Sequence, residues 1–177
     1  MRIIAGTNKG RTLKAPKWAG LRPTSDKLRE TLFNILQTRV GGARVLDVFS
    51  GTGAVALEAL SRGAAAATCV DSDRRAAGLI AENAALCRET ERCVIIRDVV
   101  ERALLTPLPG GPFDIVILDP PYEYGHLEAA VANAATQRAA QGIVILEHAT
   151  RVTPPQPAGL ALTRTVTSGD SALTFYA

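Results

Sequence analysis

Two recurring patterns of apolar and polar positions organise the chain. Short β-branched runs recur at Arg44-Val-Leu-Asp47-Val-Phe, Ala66-Ala-Thr-Cys-Val-Asp71, Cys93-Val-Ile-Ile-Arg-Asp98, Phe113-Asp-Ile-Val-Ile-Leu118 and Gly142-Ile-Val-Ile-Leu-Glu147. They are too short for helices and read as strands buried on both faces of a parallel sheet. Between them, longer segments predict helices: one from Ala54 closed by Gly63, one from Asp73 to about Leu86, a short one after Asp98, and one from Leu127 to Gln137. This alternation predicts an α/β fold with a mostly parallel, Rossmann-like sheet. Leu160 to Val166 and Ala172 to Tyr176, joined by a turn at Gly169-Asp170, are expected to end it as an antiparallel pair.

The first 40 residues follow a different pattern. Arg2-Ile-Ile-Ala, then Gly6, Asn8 and Gly10, then Arg11-Thr-Leu-Lys14 read as two short strands around a Gly-rich turn, a basic hairpin. Leu28, Leu32, Ile35 and Leu36 keep helical spacing, which predicts a helix capped by Thr24 or Ser25, ended by Gly41-Gly42, and carrying Lys27, Arg29 and Glu30 on its outer surface. Residues 1–24 are therefore expected to form a basic amino-terminal extension and residues 25–177 the main domain. A chain of 177 residues is large enough for one core without a metal or disulfide staple.

Composition narrows the function classes. Cys69, Cys87 and Cys93 are odd in number and form no Cys-x-x-Cys pair, which predicts buried thiols and neither a disulfide framework nor a zinc site. His126 and His148 stand alone and read as surface or packing residues. No run approaches the length of a membrane span and Arg2-Ile-Ile-Ala-Gly breaks into polar residues at once, unlike a signal peptide, so a cytoplasmic protein without a membrane partner is expected, and a monomer is expected as its state. Aromatics make up only 5% of the chain, so an aromatic side chain outside the core is informative. Trp18, among Lys14, Lys17 and Arg22, could be a stacking platform for a base or could cover the edge of the core.

The net charge of +3 conceals an asymmetry. Residues 1–30 hold eight Lys and Arg against two acids, while the remainder carries 12 Arg against 15 acids. A basic block on a mildly acidic body is the footprint of a polyanion partner such as nucleic acid, with a solvated arm as the plainer reading. Arg2, Lys9, Arg11, Lys14 and Arg22 are the candidate RNA contacts.

The candidate chemistry lies where strands end. Asp47, Asp71, Asp98 and Asp119 fall at or near the ends of four strands, on the side where open α/β sheets bind ligands. Gly51-Thr52-Gly53-Ala-Val-Ala56 satisfies G-x-G-x-x-A, with Asp71 at the end of the next strand, so a dinucleotide-binding dehydrogenase is a competing reading. Asp47, close ahead of Gly51, weighs against it, because a pyrophosphate would meet a negative charge there. A cationic ligand such as S-adenosyl-L-methionine would find that carboxylate helpful. Asp71 could then accept from ribose hydroxyls and Asp98 from the adenine amino group. At the end of the fourth strand, Asp119-Pro120-Pro121-Tyr122 combines an acidic acceptor, proline-stiffened carbonyls and an aromatic face. Such a set suits an exocyclic amine on a nucleobase, and it resembles the Asp/Asn-Pro-Pro-Tyr/Phe motif of amino-methyltransferases.

Arg2-Ile-Ile-Ala-Gly, Leu21-Arg-Pro-Thr-Ser-Asp-Lys-Leu-Arg-Glu-Thr-Leu-Phe-Asn-Ile-Leu36, Val45-Leu-Asp-Val-Phe-Ser-Gly-Thr-Gly53, Leu57-Glu-Ala-Leu-Ser-Arg-Gly63 and Asp119-Pro-Pro-Tyr122 together resemble the RsmD family of small-subunit rRNA guanine-N2 methyltransferases. The resemblance spans essentially the whole chain. It implies a seven-stranded class I methyltransferase sheet, an RNA-binding amino-terminal extension, and a guanine of 16S rRNA, free or in an assembling small subunit, as substrate. It also implies Asp119, Pro120, Pro121 and Tyr122 as the catalytic set, and Asp47, Gly51, Thr52, Gly53, Asp71, Ser72 and Asp98 as the S-adenosyl-L-methionine site. Asp71 stands where relatives often carry the longer Glu, and the carboxyl end is shorter than in many. An adenine-N6 methyltransferase of DNA or RNA and a catalytically silent RNA-binding module remain the alternatives.

Overall fold

The structure is a computed structural model describing residues 1–16, 18 and 26–177. Arg22, Lys17 and the expected caps Thr24 and Ser25 lie outside the described residues. Among the described residues, seven strands form one sheet in the order β3-β2-β1-β4-β5-β7-β6. The strands are β1 (Arg44–Val48), β2 (Ala66–Asp71), β3 (Cys93–Arg97), β4 (Phe113–Leu118), β5 (Arg138–Ala149), β6 (Leu162–Ser168) and β7 (Ser171–Tyr176). The first five run parallel, and β7 pairs antiparallel with both β5 and β6. The helices are α1 (Asp26–Leu36), α2 (Ala54–Ser61), α3 (Arg74–Cys87), α4 (Val100–Ala103) and α5 (Leu127–Thr136).

Alternation along the strands builds two cores. Val45, Ala67, Cys69, Ile115, Ile117 and Ile145 face α1, α2, α3 and the amino-terminal hairpin. Leu46, Val48, Val70, Val116, Leu118 and Leu146 face α4 and α5. Both faces being covered explains the near-continuous apolar runs in the sequence. All three cysteines are buried and free. Among the described residues no helix is long and apolar enough to cross a membrane.

Three local expectations need correction. The first helix ends at Leu36, ahead of Gly41-Gly42, because Gln37 takes a left-handed backbone (φ 38°) and the chain continues as a 3-10 turn over Gln37–Arg39. The hairpin carries one antiparallel bridge, Arg2 to Thr12, in place of two strands. Its backbone bonds, Ile3 N–H to Arg11 O at 3.0 Å and Gly10 N–H to Ile3 O at 2.8 Å, hold the turn while the amides of Ile4, Ala5, Thr7 and Asn8 bond to α2. Finally, Arg29 lies in the core at 0% exposure, where helical spacing had placed it outside.

The reason for that burial is a network under the hairpin. Glu58 of α2, also fully buried, accepts from the amides of Ile4 (2.8 Å) and Ala5 (3.0 Å) and from Arg62 Nε (2.7 Å). Arg29 Nη2 donates to the Arg2 carbonyl at 2.6 Å and to Asp26 at 2.9 Å. Ser61 completes the joint, donating to Ala5 O at 2.6 Å and accepting from Asn8 N–H at 2.9 Å. Ile3 and Leu13 are buried in the same core as α2, so the hairpin is packed against the sheet domain through both apolar and polar contacts.

Candidate active site

The strand order reverses direction between β1 and β4, and that switch point is where open α/β sheets leave a crevice at the carboxyl edge. Asp98, Asp71, Asp47 and Asp119 belong to β3, β2, β1 and β4 or the residue immediately after, neighbouring parallel strands in that order. In the register of these strands Asp71 and Asp119 stand level, two residues beyond the position of Asp47, and Asp98 lies one residue beyond the level of Asp71.

Asp47 is the most enclosed of them, at 1% exposure, with one oxygen accepting from the Ala56 amide of α2 at 3.1 Å. Burial pushes its carboxyl up to about 8 against the Ala56 bond that lowers it, and the neighbouring Asp119 and Asp71 charges raise it further. A buried carboxyl kept protonated by its enclosure and by two neighbouring carboxylates is suited to a positive ligand, which would favour its ionised form.

Asp71 is pinned from below. Its two oxygens accept from Gly51 N–H at 2.8 Å and Asp73 N–H at 2.9 Å, which fixes the carboxylate while leaving each oxygen a further lone pair. Gly51 and Gly53 both need positive φ (55° and 74°). A Cβ on Gly53 would meet Ile80 Cγ2 at 3.0 Å, so this glycine serves helix packing as well as the turn. The Thr52 hydroxyl points to Met1 Sδ at 3.5 Å and its carbonyl accepts from Asn83 Nδ2 at 3.0 Å, which leaves its backbone as the part at the turn. Ser72 is exposed beside Asp71. Asp98 is ion-paired with Arg102 of α4 and accepts from Val99 N–H at 2.7 Å; the Arg102 bond holds its carboxyl below the usual range. An adenine amine would share Asp98 with Arg102.

On the other side of the switch point, Asp119 N–H donates to Val48 O at 3.2 Å, which prolongs the β1–β4 pairing by one residue and sets Asp119 at the crevice. Pro120 is buried, Pro121 exposed, and Asp119 and Tyr122 half-buried. The Pro121 carbonyl accepts from Tyr124 N–H at 2.9 Å and closes a turn, so this carbonyl is engaged within the loop. Tyr122 is half-buried, and its hydroxyl is held by Ser171 Oγ of β7 at 2.9 Å.

Sequence reasoning did not find the wall that joins these halves. Phe49, in the turn after β1, has a left-handed backbone (φ 63°), rare for a bulky residue. Its ring meets Tyr124 edge-on at 5.0 Å, and the Tyr124 hydroxyl donates to Glu101 Oε1 of α4 at 2.6 Å. Burial, then the Glu101 bond, raises the Tyr124 phenol well above its ordinary value. The loop after β4 is thereby tied to the turn after β1 and to the helix after β3. Tyr124 follows the Asp-Pro-Pro-Tyr motif by two residues, and the scarcity of aromatics was the available signal.

The basic candidates line the hairpin. Arg2, Lys9, Arg11 and Lys14 are all exposed, with Arg11 Nη1 on Leu86 O at 2.6 Å and Lys14 Nζ on Glu82 at 2.7 Å. A separate cavity of about 290 Å³, lined by Arg39, Gly42, Asp114 and Gln141 among others, opens at the amino edge of the sheet, away from every group above.

The family model described as Conserved hypothetical protein 95 matches residues 1–177. Ribosomal RNA small subunit methyltransferase D of Escherichia coli is 40% identical over 131 residues, 74% of this chain and 65% of that protein. The Bacillus subtilis protein YlbH is 34% identical over 180 residues, 99% of this chain and 98% of that one. Among solved structures, the Escherichia coli protein yhhF superposes with a TM-score of 0.87 at 35% identity, covering 99% of this chain and 96% of that one. A hypothetical protein of Thermus thermophilus gives 0.79 at 30% identity, with 99% and 98% covered. With that fold and a family model matching its whole length, the chain belongs to the family described as Conserved hypothetical protein 95, the RsmD family of methyltransferases.

Proposed function

We propose that this protein methylates the exocyclic N2 of a guanine in 16S rRNA, using S-adenosyl-L-methionine. The observation that carries the reading is the adjacency, across the β1–β4 switch point, of the enclosed Asp47 carboxylate with the Asp119-Pro120-Pro121-Tyr122 loop. The name of the Escherichia coli relative, a small-subunit ribosomal RNA methyltransferase, supports the substrate class.

The residues fit the donor. Asp47 offers negative charge to a sulfonium or ammonium group, the pinned Asp71 offers two oriented acceptors to a ribose, and the Gly51-Thr52-Gly53 turn brings backbone close. When bound, S-adenosyl-L-methionine supplies an electrophilic methyl group. The protein's part is to present the amine. A guanine N2 lone pair is delocalised into its ring and is a poor nucleophile. Asp119 and the Pro120 carbonyl accept the two amine hydrogens, which turns the lone pair toward the donor and stabilises the charge that develops on nitrogen. Tyr122, held by Ser171, stacks on the base and offsets part of the few kcal/mol, roughly, needed to extrude it from a helix. After the new N–C bond forms, N2 gives up its proton to the Asp119 carboxylate that already accepts it, so no prior deprotonation is required. The basic hairpin holds the phosphate backbone. This reading carries a cytoplasmic location, where ribosomes assemble, and a protein acting as a monomer.

The test is to map N2-methylguanosine in small-subunit rRNA from cells with and without the protein, then to repeat the transfer in vitro with Asp119→Ala. The modification should vanish with the protein, and Asp119→Ala should lose turnover while keeping cofactor affinity. Methylated adenine in place of guanine would transfer the reading to N6, and full activity in Asp119→Ala would refute the role of the loop.

A further inference from the structure

The chain beyond the hairpin is laid along α3 in one direction. Arg11 bonds to Leu86 O near the carboxyl end of the helix, and the Lys14 backbone pairs with the buried Asn83 side chain both ways, at 2.8 and 3.1 Å. Trp18 then stacks under the Arg75 guanidinium, 4.9 Å from the ring centroid, in the first turn. The segment thus climbs α3 from its carboxyl end to its amino end, which opens on the sheet edge that carries Asp71. Arg75 is pinned there by Asp73, with Nη2 to Oδ2 at 2.7 Å and Nε to Oδ2 at 3.1 Å, and the Asp73 amide donates to Asp71. Trp18 therefore stands two side chains away from the proposed ribose acceptor.

The charge pattern at this place is unusual. Arg74 and Arg75 occupy the first turn of α3, which holds no acidic residue. Cations at a helix amino end oppose its dipole. Asp73, the cap, compensates Arg75, whereas Arg74 is exposed and has no ion pair among the described residues. Beside these charges sits the chain's single Trp, half-exposed in a protein with few aromatics. A flat, polarisable surface backed by a fixed guanidinium, with an uncompensated cation alongside, matches an unpaired base and its phosphate.

We propose that Trp18, Arg75 and Arg74 form a stacking station for an unpaired base of the substrate RNA, outside the methylation site. The base stacks on the Trp18–Arg75 pair and Arg74 meets the phosphate. The station rests on the proposed function and adds to it that the strand flanking the target guanine is single-stranded on the α3 side.

The only Trp is its own reporter. Titrating the full chain with a 12-nucleotide uridine oligomer should quench Trp18 fluorescence, and a duplex of equal length should not. Trp18→Ala should weaken binding of the oligomer about 5- to 150-fold, and Trp18→Tyr should retain most of it. Arg74→Ala should lower the slope of log affinity against log salt by about one. Affinity for S-adenosyl-L-methionine should not change in any of the three, which separates the station from a cover over the cofactor site. Unchanged oligomer affinity in Trp18→Ala with wild-type binding intact, or equal quenching by the duplex, overturns the station alone. Absence of RNA binding by the wild-type chain overturns the RNA assignment beneath it.

Discussion

Arg29 Nε lies 3.7 Å from Glu58 Oε2 with both side chains at 0% exposure, and through this pair the hairpin is locked to the helix that follows the glycine turn. Among the described residues Arg29 Nε and Nη1 have no hydrogen-bond partner, so this side of the guanidinium faces the Glu58 charge while Nη2 is met by Asp26 and the Arg2 carbonyl. Removing one member of a buried pair typically costs about 3–5 kcal/mol, because the other charge is left uncompensated. Glu58→Ala is expected to lower Tm by roughly 6–20 °C for a chain of this size. Arg29→Met combined with Glu58→Gln should lose less than the sum of the two single variants in thermal denaturation. Additivity, or a Glu58→Ala loss under about 2 °C, would show that the pair is not coupled.

Asp47 gives the protein a pH dependence whose sign follows from its burial. Its folded value of about 8 lies above the ordinary 3.8, so between these values the folded chain holds a proton that the unfolded chain has lost. The stability contributed by the protonated form is complete below about 4 and is lost as the pH rises toward 8. A cationic cofactor favours the ionised form, so its affinity should climb with pH up to about 8 and then level off, and binding below that point should release a proton. Calorimetry in two buffers of different ionisation enthalpy measures the release. Asp47→Asn should bind more weakly, with a flat pH profile and no release from this group, and its stability should no longer fall between about pH 5 and 8 on this account. A wild-type affinity independent of pH would separate Asp47 from the donor.

Tyr122 and Ser171 form one unit across β4 and β7. Tyr122→Ala removes the stacking face and should reduce kcat/KM for RNA by about 5- to 150-fold. Tyr122→Phe keeps the face and loses only the hydroxyl bond, which predicts a loss of about 2- to 12-fold, in line with one hydrogen bond. Ser171→Ala should match Tyr122→Phe, and the double variant should be no worse than either. Additive losses would mean that the hydroxyl acts elsewhere.

What the sequence could tell followed from which physical signals are local. The β4 run and the aspartates at the strand ends were legible because a strand buried on both faces writes a continuous apolar run, and a parallel sheet brings all its carboxyl ends to one edge. The Arg29–Glu58 pair was not legible, since helical spacing sorts charged residues outward and only the docked hairpin, more than 20 residues earlier in the chain, makes the interior position tenable. Lone Glu58 in Ala54-Val-Ala-Leu-Glu-Ala-Leu60 was the hint available. β5 begins at Arg138, four residues before the expected Gly142, because its polar start gains pairing from Phe113 across a register shift that no local pattern encodes. The Phe49 conformation likewise has no sequence signature, and the tie from Tyr124 to Glu101 depends on neighbours supplied by the sheet order.

Two glycines of the hairpin separate backbone strain from docking. Gly6 and Gly10 have nearly the same left-handed φ, 82° and 81°. A Cβ at Gly10 would meet nothing within 4 Å among the described residues, so Gly10→Ala should cost only the conformational penalty of about 1–2 kcal/mol. At Gly6 the same Cβ would lie 1.8 Å from the Ser61 carbonyl oxygen, inside the joint that also receives Thr7 N–H at 2.8 Å. Gly6→Ala must therefore push the hairpin off α2, with loss of the Ser61 and Glu58 bonds to Ala5, Thr7 and Asn8. Hydrogen exchange should show those amides unprotected in Gly6→Ala and protected in Gly10→Ala, with the sheet amides of β1 and β4 unaffected in both. Because the hairpin carries Arg2, Lys9 and Arg11, Gly6→Ala should also weaken RNA binding at constant cofactor affinity, and equal RNA affinity in the two variants would mean that docking does not position the basic face.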